Sequence, residues 1–269
     1  MPGPSFQSWL DIWKLVPDGE PFATPVTGSW LLPVRQAGRP AILKVSSGSE
    51  EIAGGVLMEW WGGEGAALVL ERQDEALLLE RAVGVGSLAE MARKGRDEEA
   101  TEIICDVVEV LHAPRNRPPP ETLVPLDVWF RDLAPAAQAH GGVLTKADAA
   151  AKHLLADPRN VRPLHGDVHH GNILDFEDRG WLAIDPKGVL GERGYDYANS
   201  FCNPDVATAL TPGRLERRLA QVSARAEMEP RRLLMWVLAY SGLSAAWTLG
   251  DGGRVDLSIV ERAAAVLDA

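Results

Sequence analysis

The stretch HGDVHHGN, residues 165–172, concentrates side chains that can move a proton or hold a metal ion. Asp167 is followed five positions later by Asn172, and thirteen residues further on Asp185 closes the apolar run WLAI. Phosphoryl transfer needs a carboxylate to accept the proton of the attacking hydroxyl. It also needs an amide oxygen and a second carboxylate to hold Mg²⁺ against the phosphates. Magnesium prefers oxygen ligands, which suits Asn172 and Asp185 better than the imidazoles of His165, His169 and His170. A metallohydrolase centred on those histidines would want a second ligand motif at zinc-like spacing, and the sequence offers none, so their expected work is to orient the loop. A plain polar loop would account for His165 and Asp167 alone, but not for Asn172 and Asp185 at these spacings.

The order H-x-D-x-x-x-x-N, then an Asp after a strand, is the arrangement kinases use. Such an enzyme also needs a strand lysine that reaches the nucleotide phosphates and a helical glutamate that holds the lysine. AILK puts Lys44 at a strand end just before a predicted helix, and Glu51 is the favoured partner, with Glu50 and Glu59 as alternatives. No G-x-G-x-x-G loop is present. The corresponding turn is TPVTGSWLL, where Thr27, Gly28 and Ser29 could offer backbone N–H and hydroxyl donors to a phosphate, and only Gly28 permits close approach. In LLLERAVG, backbone groups from Glu80 to Ala82 are expected to pair with adenine.

The elements that must position these residues follow from hydropathy patterning. Short apolar runs at 29–35, 40–45, 66–72 and 76–82 read as strands, with AGR and RQDE as hairpin turns. A helix is predicted between the second and third strands, capped by Ser47 or Ser49, striped by Ile52, Val56 and Trp60, and ended at Gly62-Gly63. Beyond Ala82 the chain reads as helices, with a Pro-rich surface loop at PRNRPPPETLVP and a strand at GWLAID. The fold class is therefore α+β, with a small mixed β N-lobe over residues 1–82 and a larger, mainly helical C-lobe over 83–269.

At 269 residues the chain can bury a full core. A net charge of −11 with scattered basic residues argues against a nucleic-acid partner and for a cationic one. No signal peptide and no membrane-spanning apolar run are read, and two distant cysteines, Cys105 and Cys202, fit a reducing cytoplasm.

The chain resembles the aminoglycoside phosphotransferase family, whose loop reads H-G-D-x-H-x-x-N. LHGDVHHGNIL, WLAIDPKGVLGERGYDYANSFCNP and AYSGLSAAW are similar to the streptomycin 6-phosphotransferase and hydroxyurea phosphotransferase branch. The resemblance implies a bilobal protein-kinase-like fold and ATP and Mg²⁺ as cofactors. Asp167 becomes the catalytic base, Asn172 and Asp185 the metal ligands, and Lys44 the phosphate-contacting lysine. It also implies a cationic small-molecule acceptor, with the streptomycin 6-hydroxyl first and amino-sugars or hydroxyurea as alternatives. Asp196 in GYDYAN resembles the acidic residue that anchors the catalytic-loop backbone. Glu192, Asp205, Asp251 and Asp256 are candidates to line the acceptor site, while Trp236, Tyr240 and Trp247 are expected in the core. A catalytically silent nucleotide-binding module is the remaining rival, and the intact Lys44, Asp167, Asn172 and Asp185 count against it.

Overall fold

The computed structural model describes residues 5–24, 28–46 and 48–269. The first part of the chain runs α1 (Gln7–Ile12), β1 (Leu15–Pro17), β2 (Phe22–Ala23), β3 (Trp30–Gln36), β4 (Arg39–Val45), α2 (Ser49–Trp61), β5 (Val69–Gln73) and β6 (Ala76–Glu80). Its strands form an antiparallel sheet in the order β1-β3-β4-β6-β5, with β2 beside β3. The two predicted hairpins are present. Ala37 and Gly38 both take positive φ between β3 and β4, which matches the twist of the strands they join. The sequence reading missed α1, β1 and β2, which are too short or too exposed to carry a pattern.

Alternation along β4 sets the site. Ala41, Leu43 and Val45 face a small core with Trp9, Trp13, Leu15, Val34 and Leu78. Lys44 sits out of phase with them and therefore points to the other face of the sheet, toward α2.

Helix α2 starts at Gly48 rather than at a serine cap, Ser47 lying outside the described residues, and ends on left-handed Gly62. Its buried face is turned from the predicted stripe. Ala53, Leu57, Met58 and Trp61 are buried, whereas Ile52 is 42% exposed. The reason is Gly54, where a Cβ would overlap the Pro186 carbonyl oxygen, so the helix is pressed onto the loop after Asp185. Leu57, Met58 and Trp61 accordingly belong to the larger core, not to the one beneath the sheet.

The second part holds α3 (Leu88–Arg93), α4 (Asp97–His112), β7 (Val124–Pro125), α5 (Leu126–Trp129), α6 (Leu133–His140) and α7 (Val143–Ala156). Four short strands follow, β8 (Val161–Leu164), β9 (Ile173–Asp175), β10 (Trp181–Ala183) and β11 (Val189–Glu192). The chain ends in α8 (Gly194–Phe201), α9 (Val206–Ala209), α10 (Arg214–Arg225), α11 (Pro230–Gly250) and α12 (Ser258–Asp268). β8 pairs with β11 and β9 with β10, so both ends of the loop 165–172 are fixed. Helix α11 corrects the expectation that no segment has membrane-spanning length. It is long and apolar enough by composition, yet 67% of its most apolar window is buried inside the protein, where it packs on α7 and α8.

Candidate active site

The catalytic loop is suspended from below by one carboxylate. Asp196, in the first turn of α8, accepts backbone N–H bonds from His165 (2.9 Å) and Gly166 (2.7 Å), and its Oδ2 also meets His112 Nε2 at 2.8 Å. The anchoring role expected of Asp196 is thus the one the geometry gives it. Gly166 has φ +84°, and a Cβ there would crowd Val189 and Lys187, so the turn is restricted to glycine.

His165 ties the loop to the end of β10. Its Nδ1 accepts the Asp167 N–H (3.2 Å) and its Nε2 donates to the Ile184 carbonyl (2.8 Å). With both nitrogens engaged it is a brace, not a metal ligand. Burial lowers its pKa, which keeps this neutral tautomer. His169 turns its Nδ1 to the Gly171 N–H (3.0 Å), leaving Nε2 3.9 Å from Asp167 Oδ2. His170 is buried with neither ring nitrogen bonded among the described residues, and burial with Arg218 and Arg214 nearby pushes its pKa down to about 2.

The Asp167 carboxylate sits between two amides. Asn172 Nδ2 donates to its Oδ2 (3.1 Å) and to its backbone carbonyl (3.0 Å), and Asn199 Nδ2 donates to Oδ1 (2.7 Å). Asn199 was not among the sequence candidates. The available signal was its position three residues after Asp196 on α8, which turns both side chains toward the loop.

Across the cleft lies a ring of alternating charge. Lys44 pairs with both Glu51 and Asp185, which resolves the choice among Glu50, Glu51 and Glu59; Glu59 instead pairs with Arg72. Lys187, also unforeseen, meets the other oxygens of the same carboxylates, Glu51 Oε1 at 3.3 Å and Asp185 Oδ2 at 3.4 Å. Burial alone would raise the Asp185 pKa, but the two ammonium groups hold it at about 2. Asp185 has φ +61°, a conformation that costs a non-glycine residue about 1–3 kcal/mol and persists where the surroundings enforce it.

The roof of the cleft departs from the reading at several points. Thr27 lies outside the described residues. Gly28 has φ +65° and open space where a Cβ would stand, so a ligand can approach its backbone. Ser29 lines the cleft but is buried, and its hydroxyl accepts a bond from Ser46 Oγ (2.7 Å), another residue of the cleft lining. Glu80 cannot offer its N–H to a base, because the Leu68 carbonyl takes it (3.0 Å), and the Arg81 N–H goes to the Pro40 carbonyl. Ala82 is the first residue past the sheet, and its N–H has no partner among the described residues.

The cleft encloses about 1960 Å³ and runs from Gly28 past Asp167 to a wall made by Trp129, Asp132, Tyr240, Trp247 and Asp251. Trp129 and Trp247 meet edge to face at 5.6 Å. Asp251 and Asp132, the latter not among the sequence candidates, both line this wall. Glu192 does not: it is buried against Arg232, Trp236 and the Arg159 N–H. Asp205 caps α9 and pairs with Arg93, and Asp256 caps the turn at Ser258. Glu192 and Asp205 each have an arginine partner, and Asp256 is held by the Ser258 N–H. Trp236 is core as expected, while Tyr240 and Trp247 also reach the cleft.

An antiparallel sheet over a helical body, with Glu51, Asp167 and Lys187 lining one cleft and Lys44 and Asp185 ion-paired into the same charge ring, defines a protein-kinase-like phosphotransferase with an alcohol acceptor. A family model described as aminoglycoside/hydroxyurea antibiotic resistance kinase matches residues 12–252, and the chain belongs to that family. A streptomycin 3''-kinase of Klebsiella pneumoniae is 50% identical over 270 residues, spanning 96% of this chain and 100% of that one. A streptomycin 6-kinase of Streptomyces griseus is 27% identical over 269 residues, with 90% and 81% covered. Among solved structures, a thermostable mutant of aminoglycoside phosphotransferase APH(4)-Ia in its apo form has the same fold. The match has a TM-score of 0.66 at 16% identity, over 98% of this chain and 97% of that one.

Proposed function

We propose that this protein transfers the γ-phosphoryl group of Mg·ATP to a hydroxyl of streptomycin, at the 3''-position. The observation that carries the reading is the Asp167 carboxylate, fixed by two amides in a cleft with a phosphate-facing charge cluster on one side and an aromatic, acidic wall on the other. Identity of 50% to a streptomycin 3''-kinase supports that position, so the 6-hydroxyl expected from motif resemblance is set aside in its favour.

In this reading Asp167 accepts the proton of the acceptor hydroxyl while that oxygen bonds to the γ-phosphorus and the bond to the departing ADP oxygen breaks. Asn199 and Asn172 hold the carboxylate so that its geometry is set before the acceptor arrives. Lys44 donates to the nucleotide phosphates. Asn172 has committed its Nδ2 to Asp167, which leaves Oδ1 for a cation, and Asp185, held at about 2, meets a metal without competition from protons. These two would hold Mg²⁺, which when bound neutralises phosphate charge. Asp132 and Asp251 would draw a cationic acceptor along the aromatic wall.

The test is ADP release from Mg·ATP over streptomycin, other aminoglycosides, amino-sugars and hydroxyurea, with NMR of the product to locate the phosphate. Streptomycin phosphorylated at the 3''-oxygen is the expected result. Turnover of hydroxyurea alone, or of nothing in the set, overturns the reading.

A further inference from the structure

Two lysines, not one, bridge Glu51 and Asp185, and they sit on different elements, Lys44 on β4 and Lys187 on the loop after Asp185. Lys44 lines a small recess with Ile52, Gly55 and Leu77 that shares Ser46, Glu51 and Arg72 with the main cleft. Lys187 lines the main cleft beside Gly166 and Asp167, although its side chain is only 13% exposed. It is also fixed to the catalytic loop, because its N–H donates to the His165 carbonyl at 2.6 Å. The contact of Gly54 with Pro186 holds its other neighbour, α2, in register.

The loop itself brings no permanent cation to the reacting centre. Between Asp167 and Asn172 it carries Val168, His169, His170 and Gly171. Among the described residues lining the cleft, the other permanent cations are Arg72, paired with Glu59 at 2.7 Å, and Arg131, on the acceptor wall and 61% exposed. Charge that develops on the equatorial oxygens of a transferring phosphoryl group is stabilised by a cation already in place. Lys187 is that cation by position.

We infer that Lys187 contacts the phosphoryl group in flight, its ammonium donating to the equatorial oxygens, while Lys44 holds the part of the nucleotide that stays behind. The assignment rests on the proposed phosphotransfer reaction. Lys187 keeps its own proton throughout: the acceptor O–P bond forms, the P–O bond to ADP breaks, and the hydroxyl proton goes to Asp167. The two lysines therefore differ in what their loss removes. Lys44 serves ADP and ATP alike, and Lys187 serves the transition state.

The experiment compares wild type, Lys187→Met and Lys187→Arg by calorimetry with Mg·ADP and by trapping of ADP with aluminium fluoride and acceptor, a mimic of the planar phosphoryl group, alongside turnover. Lys187→Met is expected to keep ADP affinity within about threefold while kcat and the affinity of the aluminium fluoride complex both fall by about 10²–10³-fold. Lys187→Arg, which keeps the charge, recovers at least about tenfold of the loss. If Lys187→Met does not fold, Lys187→Arg carries the test through a loss in trapping that exceeds its loss in ADP affinity. Equal losses of ADP and aluminium fluoride binding would make Lys187 a mere prop for Glu51 and Asp185, and unchanged trapping would remove it from the reaction; either overturns the assignment. A wild type that turns over no acceptor brings down the phosphotransfer reading and this assignment together, whereas an active wild type with an unaffected Lys187→Met overturns only the latter.

Discussion

The two walls of the cleft are held by different physics. On the catalytic-loop side, Asp167 takes neutral amide donors from Asn172 and Asn199, and the backbone beneath it hangs on Asp196. On the phosphate-facing side, Glu51 and Asp185 are each matched by Lys44 and Lys187. Amide bonds orient a carboxylate without cancelling its charge, so the Asp167 carboxylate is aimed without being neutralised. Ion pairs cancel charge and leave ammonium groups that can be handed over when phosphates arrive. One wall is built to keep its geometry through the reaction, the other to exchange partners.

That contrast is open to direct attack. Asp167→Asn should cut kcat by about 10²–10⁴-fold while calorimetry finds nucleotide binding retained, because the change touches only the amide-held wall. Normal turnover in this variant would end the assignment of Asp167 as base. Asn199→Ala removes one of two donors to that carboxylate and should lower kcat by about 10–100-fold with little change in acceptor KM, as seen in steady-state kinetics. A change confined to KM would move Asn199 from positioning the base to binding the acceptor. On the other wall, Glu51→Gln leaves two ammonium groups to share Asp185. It should cost about 1–3 kcal/mol of stability in urea unfolding and weaken Mg·ATP binding. A variant with native stability and affinity would show that the charge ring is ornamental.

The smallest effect concerns pH. His165 and His170 are buried with lowered pKa values, and for His170 the folded value is about 2 against an ordinary 6.5. The unfolded chain therefore binds protons that the folded chain refuses, and stability falls as pH drops below 6.5. The slope contributed by His170 approaches about 1.4 kcal/mol per pH unit. His170 has no hydrogen bond to lose, so His170→Leu should flatten that slope between pH 7 and pH 5 without lowering stability at pH 7. Urea titrations at the two pH values read this out, and an unchanged slope would contradict it.

The catalytic-loop wall was legible in the sequence because its chemistry is concentrated in one contiguous motif and one strand end. Asp167, Asn172, Asp185 and the anchor Asp196 could be named from spacing and resemblance, and the strand lysine with its helical glutamate followed from element order. What escaped was set by tertiary contact. Asn199 and Lys187 have nothing distinctive about them until α8 and the loop after Asp185 are folded against Asp167 and Glu51. The misassigned acidic residues show the converse. Glu192, Asp205 and Asp256 are carboxylates near the right motifs, but each is consumed by an arginine or a cap, which charge counting along a chain does not reveal. The rotated face of α2 has the same origin, since a periodicity of apolar residues gives way where Gly54 allows a backbone contact.

The division of α2 from the sheet it follows carries a mechanical consequence. Glu51 and Lys187 are both rooted in the larger core, through Leu57, Met58 and Trp61 and through the clasp at Gly54, whereas Lys44 rides on a strand packed over the smaller one. The seam between the two halves thus crosses the charge ring at a single lysine, beside the Arg72–Glu59 and Glu80–Arg179 pairs that also span it. Should the sheet rock outward to admit a nucleotide, the bonds of Lys44 stretch while the other three charges of the ring stay assembled on the helical half.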